Sequence, residues 1–326
     1  MSGIYTDYTM IRKVKSKKIA FLVKEVFDST RVNIVKAYEK IISAYSASIL
    51  FSLSLLCLIF AGLVYVSFSM GDTLKVTFLD VGQGDGILIE SGPGTKVLID
   101  GGPSPKVISK IARLLPIFDT KIDLVAPTHA DKDHVLGSIE ALHSFSVIRS
   151  AALHASSTTS LDEEYSRGEK GTEVFNLLAG DRIDIGGGAF LTVLLPRAGE
   201  RFSEKETNES SQVMLLTQGD FSFLLTGDLP LEREHLLIES GLLPRHLTVL
   251  KSGHHGSKGS TGAELLSYTH PDYVVMSVGK DNKYGHPSKD TLERVEKVGS
   301  KVLRTDTVGN VSFEVDAHGV TVTTEK

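Results

Sequence analysis

Residues 128–134 read Thr-His-Ala-Asp-Lys-Asp-His, which puts His129, Asp131, Asp133 and His134 within six positions. Two imidazoles and two carboxylates at that density are the ligand types that hold a divalent metal ion. The sequence has a single cysteine, Cys57, so neither a thiolate zinc site nor an internal disulfide is available. Any metal must be held by His, Asp and Glu, and metal-dependent hydrolysis is the first chemistry to expect. Further polar clusters close other apolar runs: Phe78-Leu79-Asp80-Val81-Gly82-Gln83-Gly84-Asp85, Leu98-Ile99-Asp100-Gly101-Gly102, Leu224-Leu225-Thr226-Gly227-Asp228 and Leu250-Lys251-Ser252-Gly253-His254-His255-Gly256-Ser257. A later turn adds Tyr284-Gly285-His286-Pro287. A lone Asp at a strand end is commonly a cap or turn residue. Recurrence of such ends beside a dense His/Asp run is what favours a shared site.

The elements that carry these clusters alternate between strand and helix. Before the run, Ile122–Thr128 reads as a strand, and after it Val135–Phe145 has helical spacing. The run therefore sits at a strand end, where open α/β sheets place ligands. Further strands are expected over 74–80, 86–90, 96–100, 189–195, 213–218, 221–226, 247–251 and 273–278. Helices are expected over 105–115, 231–240, 262–268 and 288–298, and short strands end the chain. Gln218-Gly219-Asp220 marks a hairpin, so the sheets must be mixed. Residues 156–171 are polar and read as a mobile loop.

Charge divides the chain. Residues 1–46 carry nine Lys/Arg and four acids, a balance of +5; the whole chain is −5, so the remainder carries −10. No charged residue occurs from Ile41 to Gly71. Residues 47–70 are uncharged and mostly apolar, about 36 Å as a helix, enough to span a bilayer. The long basic segment before the run does not suit a cleaved signal peptide, and a soluble core helix of this length would show a polar face. We read 1–46 as a cytoplasmic basic segment, 47–70 as one transmembrane helix and 72–326 as the catalytic body. The Lys/Arg excess keeps the N-terminus inside and sets the body outside the cytoplasmic membrane.

In their order, LIDGG, THADKDH, LLTGD and GHHGS resemble the metallo-β-lactamase superfamily. With FLDVGQGD, NESSQ and YGHP added, the chain is similar to the extracytoplasmic hydrolase domain of competence DNA-uptake proteins of the ComEC type, over about residues 73–316. The resemblance implies an αββα sandwich of two mixed sheets and two divalent ions. His129 and Asp131 would hold the first, and Asp133 and His134 the second, with Asp228 bridging. His254 would complete the second site, with His286 as its rival or as a substrate contact. Asp133, His255 and His286 would be the catalytic residues, His255 or His286 protonating the leaving oxygen or binding phosphate. Asp80, Gln83, Asp85, Asp100, Asn208, Ser211 and Ser257 would orient ligands or contact substrate. Asp131 stands where the wider superfamily has a second His, and Asn208, Ser210 or Ser211 where it has another. The oxygen-rich first site makes Mn²⁺ or Mg²⁺ candidates beside Zn²⁺.

The implied activity is that of a membrane-anchored phosphodiesterase or nuclease acting on nucleic acid or another phosphodiester. The multi-helix channel of those proteins is missing from this sequence, and a separate DNA-channel protein is a candidate partner. The alternatives are another hydrolase of this fold, opening a lactone, a β-lactam or a wall-polymer ester, and a tethered, non-catalytic binding module.

Overall fold

The computed structural model describes residues 5–69, 73–92, 94–154, 160–203 and 205–326, with side chains from residue 21 to 62 in the first of these stretches. The chain divides into two units, residues 1–68 and 69–326. The described residues of the first form a single helix, α1 (Tyr5–Ser69), so the basic segment from Tyr5 and the apolar run to Ser69 share one continuous element. Its stretch Phe21–Gly62 has a mean hydropathy of 2.1 in its most apolar window, none of which is buried. Phe27, Phe51 and Phe60 are among the apolar side chains it exposes.

The second unit is built on two sheets. In chain order the first takes β1 (Leu74–Phe78), β2 (Gly86–Ser91), β3 (Thr95–Gly101), β4 (Lys121–Ala126), β5 (Ser146–Ala151) and β6 (Glu173–Phe175). The second takes β7 (Arg182–Asp184), β8 (Ala189–Leu195), β9 (Val213–Gln218), β10 (Phe221–Leu225), β11 (Val249–Lys251), β12 (Tyr273–Met276) and β13 (Lys301–Arg304). The chain then returns to the first sheet with β14 (Val311–Asp316) and β15 (Gly319–Thr324), giving the orders β15-β14-β1-β2-β3-β4-β5-β6 and β13-β12-β11-β10-β9-β8-β7. Both sheets are mixed: β3 to β6 run parallel to their neighbours, as do β10 to β13, and the remaining pairs are antiparallel. The hairpin expected at Gly219 joins β9 to β10 with Gln218 opposite Phe221.

Strand alternation builds three apolar layers. Ile87 and Ile89 of β2 and Val97 and Ile99 of β3 face the space between the sheets, where they cluster with Val193, Leu216 and Phe223. The intervening Leu88 and Leu98 face outward and pack on Val107 and Ile111 of α2 (Lys106–Leu114) and Val135 and Ile139 of α3 (Lys132–Ser144). On the other side, Leu215, Leu224 and Leu250 are covered by Leu237, Leu265 and Val295 from three more helices. The result is the αββα sandwich. One expectation fails: within residues 156–171, Ser160–Gly168 forms a helix, α4, rather than a loop. Buried Tyr165 anchors it, its hydroxyl donating to the Ala151 carbonyl at 3.1 Å. Residues 155–159 lie outside the described residues.

Candidate metal centre

The parallel strands β3, β4, β10 and β11 deliver their C-terminal ends to one place. Asp100 closes β3, while the loop between β4 and α3 carries Thr128, His129 and Asp131. Asp228 follows β10, and His254 and His255 follow β11. Close backbone approach sets the first of these. Gly137 N of α3 donates to Gly102 O at 2.9 Å, and a Cβ on Gly137 would lie 1.9 Å from Gly101 O. An alanine would gain about 1 kcal/mol of helix propensity there, far too little to offset a clash with backbone. The two glycines thus let the start of α3 lie directly over Asp100. The Gly84 turn is pinned in a similar way, with Asp85 N donating to Asp133 O at 3.1 Å.

The GHHG segment uses backbone strain. His254 and His255 have φ of 45° and 54°, both in the left-handed region, at a cost of about 1–3 kcal/mol each. In extended backbone, consecutive side chains point to opposite faces. Here both rings reach one carboxylate: His254 Nε2 lies 3.7 Å and His255 Nε2 3.4 Å from Asp228 Oδ2.

Asp228 Oδ2 is the hub. His134 Nε2 approaches it to 3.3 Å, and His255 Nε2 also lies 3.3 Å from Asp133 Oδ2. On the other flank, His129 Nε2 lies 3.6 Å from Asp131 Oδ2, and the rings of His129 and His134 are 4.1 Å apart. The Nε2 atoms of His129, His134 and His255 are buried and have no hydrogen-bond partner. Orphaned nitrogens are costly unless something fills the gap. Two ligands bound at about 2.0–2.1 Å to one tetrahedral ion lie about 3.3 Å apart, and these spacings fit that geometry. Asp85, His134, Asp228 and His255 also offer ligand atoms within 4.8 Å of one another.

Behind the rings stand the groups that orient them. His134 Nδ1 is 2.8 Å from Asp100 Oδ2, and His255 Nδ1 is 3.3 Å from Asp85 Oδ1. The bond to Asp100 fixes the His134 tautomer and leaves its Nε2 lone pair for the ion, whereas Asp85 faces His255 Nδ1 as a charge partner without a hydrogen bond. Asp85 therefore acts from the far side of the ring, although its oxygens are close enough to be counted with the ligands. Thr128 holds Asp100 in turn, donating from N at 2.7 Å and from Oγ1 at 2.8 Å.

Charge reinforces the arrangement. Burial pushes the Asp228 carboxyl up, but His255 and His134 outweigh it and hold it well below the usual carboxylate range. Burial likewise opposes ionisation of His255, yet Asp228 and Asp85 raise it to about 9. His134 is raised well above its ordinary value by Asp228 and Asp100 against the same burial. A divalent ion competes with these protons for the same nitrogens. Burial lowers His254 and His286 instead.

The structure brings His129, Asp131, Asp133, His134, Asp228, His254, His255, Asp85 and Asp100 into one cluster. It sets His255, rather than His254, against Asp133. His254 instead has Asn208 Nδ2 3.4 Å from its Nδ1. Ser211 Oγ accepts from Asp228 N at 3.2 Å. Gln83 Oε1 accepts from Gly279 N, and Ser257 Oγ from Gly259 N, so each shapes a loop. Asp80 pairs with Lys106 at 3.3 Å, and its N donates to Asn310. His286 lies outside the core of the cluster, its ring 5.6 Å from that of His254. Sequence reasoning missed Lys251. That lysine is fully buried, 2.5 Å from Asp85 Oδ2 and 3.6 Å from Asp228 Oδ1, and donates to Gly227 O at 2.8 Å. Its position as the last residue of an apolar strand, three before His254, was the available signal.

The family profile described as Metallo-beta-lactamase superfamily matches residues 79–280. The chain belongs to that superfamily. Among superfamily relatives, ComE operon protein 3 of Bacillus subtilis (strain 168) is 33% identical over 208 residues, 61% of this chain and 26% of that protein. Competence protein ComA of Neisseria gonorrhoeae is 36% identical over 115 residues, 35% of this chain and 17% of that protein. The chain thus spans about a quarter or less of the length of these relatives. Among solved structures, CmlA, a diiron beta-hydroxylase from Streptomyces venezuelae, aligns with a TM-score of 0.46 at 16% identity, over 71% of this chain and 52% of that one.

Proposed function

We propose that this superfamily member is a membrane-anchored, metal-dependent phosphodiesterase acting on nucleic acid outside the cytoplasmic membrane. The observation that carries the reading is the convergence of buried, unpartnered imidazole nitrogens on Asp228 Oδ2. Asp133, His134, His255 and Asp228 would hold one divalent ion. His129, Asp131 and Asp228 would hold the other, with His254 in reach of it. With the imidazoles neutral as metal ligands, Asp85, Asp100, Asp131, Asp133 and Asp228 give −5 and Lys251 returns +1, a balance of −4 that two divalent cations would match. When bound, the ions supply an activated water and neutralise charge on the transferring phosphoryl group.

The chain's own residues do the rest. Asp100 keeps the Nδ1 proton of His134 in place and aims its Nε2 inward, and Asp85 faces Nδ1 of His255 as a charge partner at 3.3 Å. His255 has both nitrogens inside the cluster, which leaves it none to protonate a leaving oxygen. His286 takes the outer position. Burial, His254 and His255 lower its pKa, so its ring is neutral at pH 7 and serves as a hydrogen-bond donor to a phosphate oxygen. The name of one relative, competence protein ComA, ties that protein to competence, which favours DNA over a wall-polymer ester as substrate. The acidic body argues against broad duplex binding through phosphate contacts and favours a narrow, single-strand site. The Lys/Arg excess before the apolar stretch of α1 supports an inside N-terminus.

Hydrolysis of a fluorescent single-stranded oligonucleotide and of bis-p-nitrophenyl phosphate by the purified full chain with Mn²⁺ or Zn²⁺ tests the reading. Turnover of both, with a chromogenic β-lactam left intact, is expected. Turnover of the β-lactam alone overturns it in favour of the lactamase chemistry, and no turnover with no bound metal favours a binding module.

A further inference from the structure

A cleft of about 380 Å³ opens beside Asp133, lined by Gln83, Pro103, Lys132, Asp133, Asn282, Lys283 and Tyr284. That volume lies in the range of small-molecule sites. Tyr284 is 59% exposed, and it lines this cleft. The turn that presents it is fixed rather than loose. Asn282 Oδ1 accepts from Tyr284 N at 3.2 Å and His286 N at 3.0 Å, while Asn282 Nδ2 donates to His286 O at 2.7 Å and Gly279 O at 3.1 Å. From Tyr284 a row of rings runs inward. Tyr284 stacks on His286 with centroids 5.8 Å apart and planes 26° apart; His286 meets His254 at 5.6 Å, and His254 meets His255 at 6.0 Å. Lys283 Nζ lies 5.4 Å from the Tyr284 ring centre. Lys132 is exposed and lines the same cleft.

We propose that Tyr284 is a stacking platform for one nucleobase, and that Lys283 and Lys132 bind the phosphates on either side of it. This rests on the phosphodiesterase reading and sharpens its substrate class: the unit recognised carries an aromatic base, unlike the repeat of a polyol-phosphate wall polymer. An exposed ammonium gains less from a ring face than a base does. An arriving base therefore displaces Lys283 from the ring, which frees its charge for a phosphate. Any π-face stacks, so the subsite selects for the presence of a base and not for its identity. The two lysines also give the acidic body a local positive edge where the backbone enters.

Two oligonucleotides of equal length and phosphate number test this, one bearing bases and one fully abasic. Hydrolysis and anisotropy binding are measured with the metal-loaded full chain and with Tyr284→Ala and Tyr284→Phe. The wild type favours the base-bearing strand; Tyr284→Ala lowers that preference about five- to a hundredfold, mainly in KM, and Tyr284→Phe keeps it. Equal losses on both strands, or a wild type with no preference, overturn the platform and leave the phosphodiesterase standing. Hydrolysis of neither strand refutes the phosphodiesterase reading itself.

Discussion

At the residue scale, Lys251 changes what the cluster is. A strand-end lysine commonly runs its stem along apolar surface and leaves its head in water, and for that reason its role is not legible in sequence. Here its ammonium stays charged, since Asp85 and Asp228 outweigh the burial that opposes it. It draws Asp228 Oδ1 to one side, while Oδ2 faces the imidazoles. Lys251→Met keeps the length of the side chain and strands the buried Asp85 carboxylate, a change that costs about 3–5 kcal/mol. Thermal melting of the metal-free protein is expected to fall by about 5–15 °C. Metal ions replace part of the missing charge, so the metal-loaded variant falls by less than half as much. Equal losses in both forms would reduce Lys251 to a packing residue. The pair His254-His255 shows a second limit of legibility. The spacing announces two imidazoles, but consecutive left-handed residues decide that His255 meets Asp133. No rule of alternation anticipates that.

At the element scale, the strongly patterned strands and helices of the body are legible because each alternates between two apolar layers. Leu88 and Leu98 face the outer helices, and their neighbours face the other sheet. The elements that escape are those with little to bury: β5 buries only Ser150 and Ala151, β6 is exposed throughout, β7 has one half-buried residue, and α4 buries only Asp162 and Tyr165. The helix α1 is the opposite case. Its charge-free apolar stretch is plain in the sequence and residues 11–46 before it read as helical, while the sequence does not show that the two are one helix from Tyr5 to Ser69, because its basic and apolar parts have different compositions. Exposed Phe51, Leu56 and Phe60 have no partner in water that would justify them. The proposed anchoring by α1 predicts that the full chain stays in the membrane pellet through high salt and alkaline carbonate and is released only into detergent. Release by salt or carbonate would mean peripheral attachment.

At the scale of the whole molecule, the two sheets bring strand ends to one site, and each half is incomplete alone. The first sheet supplies His129, Asp131, Asp133 and His134, oriented by Asp85 and Asp100; the second supplies Asp228, His254 and His255. The positions of these motifs along the chain suggest the site, and only the packing of one sheet on the other makes a single cluster of them. The superfamily profile, over residues 79–280, takes in both sets of motifs. The central claim is that this joint cluster is a metal centre. Metal content of the purified full chain, loaded with Mn²⁺ or Zn²⁺ and desalted, tests it most directly against Asp228→Ala, with circular dichroism confirming that the variant is folded. The wild type is expected to retain divalent metal and the folded variant to lose most of it. Equal retention in a folded Asp228→Ala protein, or none in the wild type, would contradict the account.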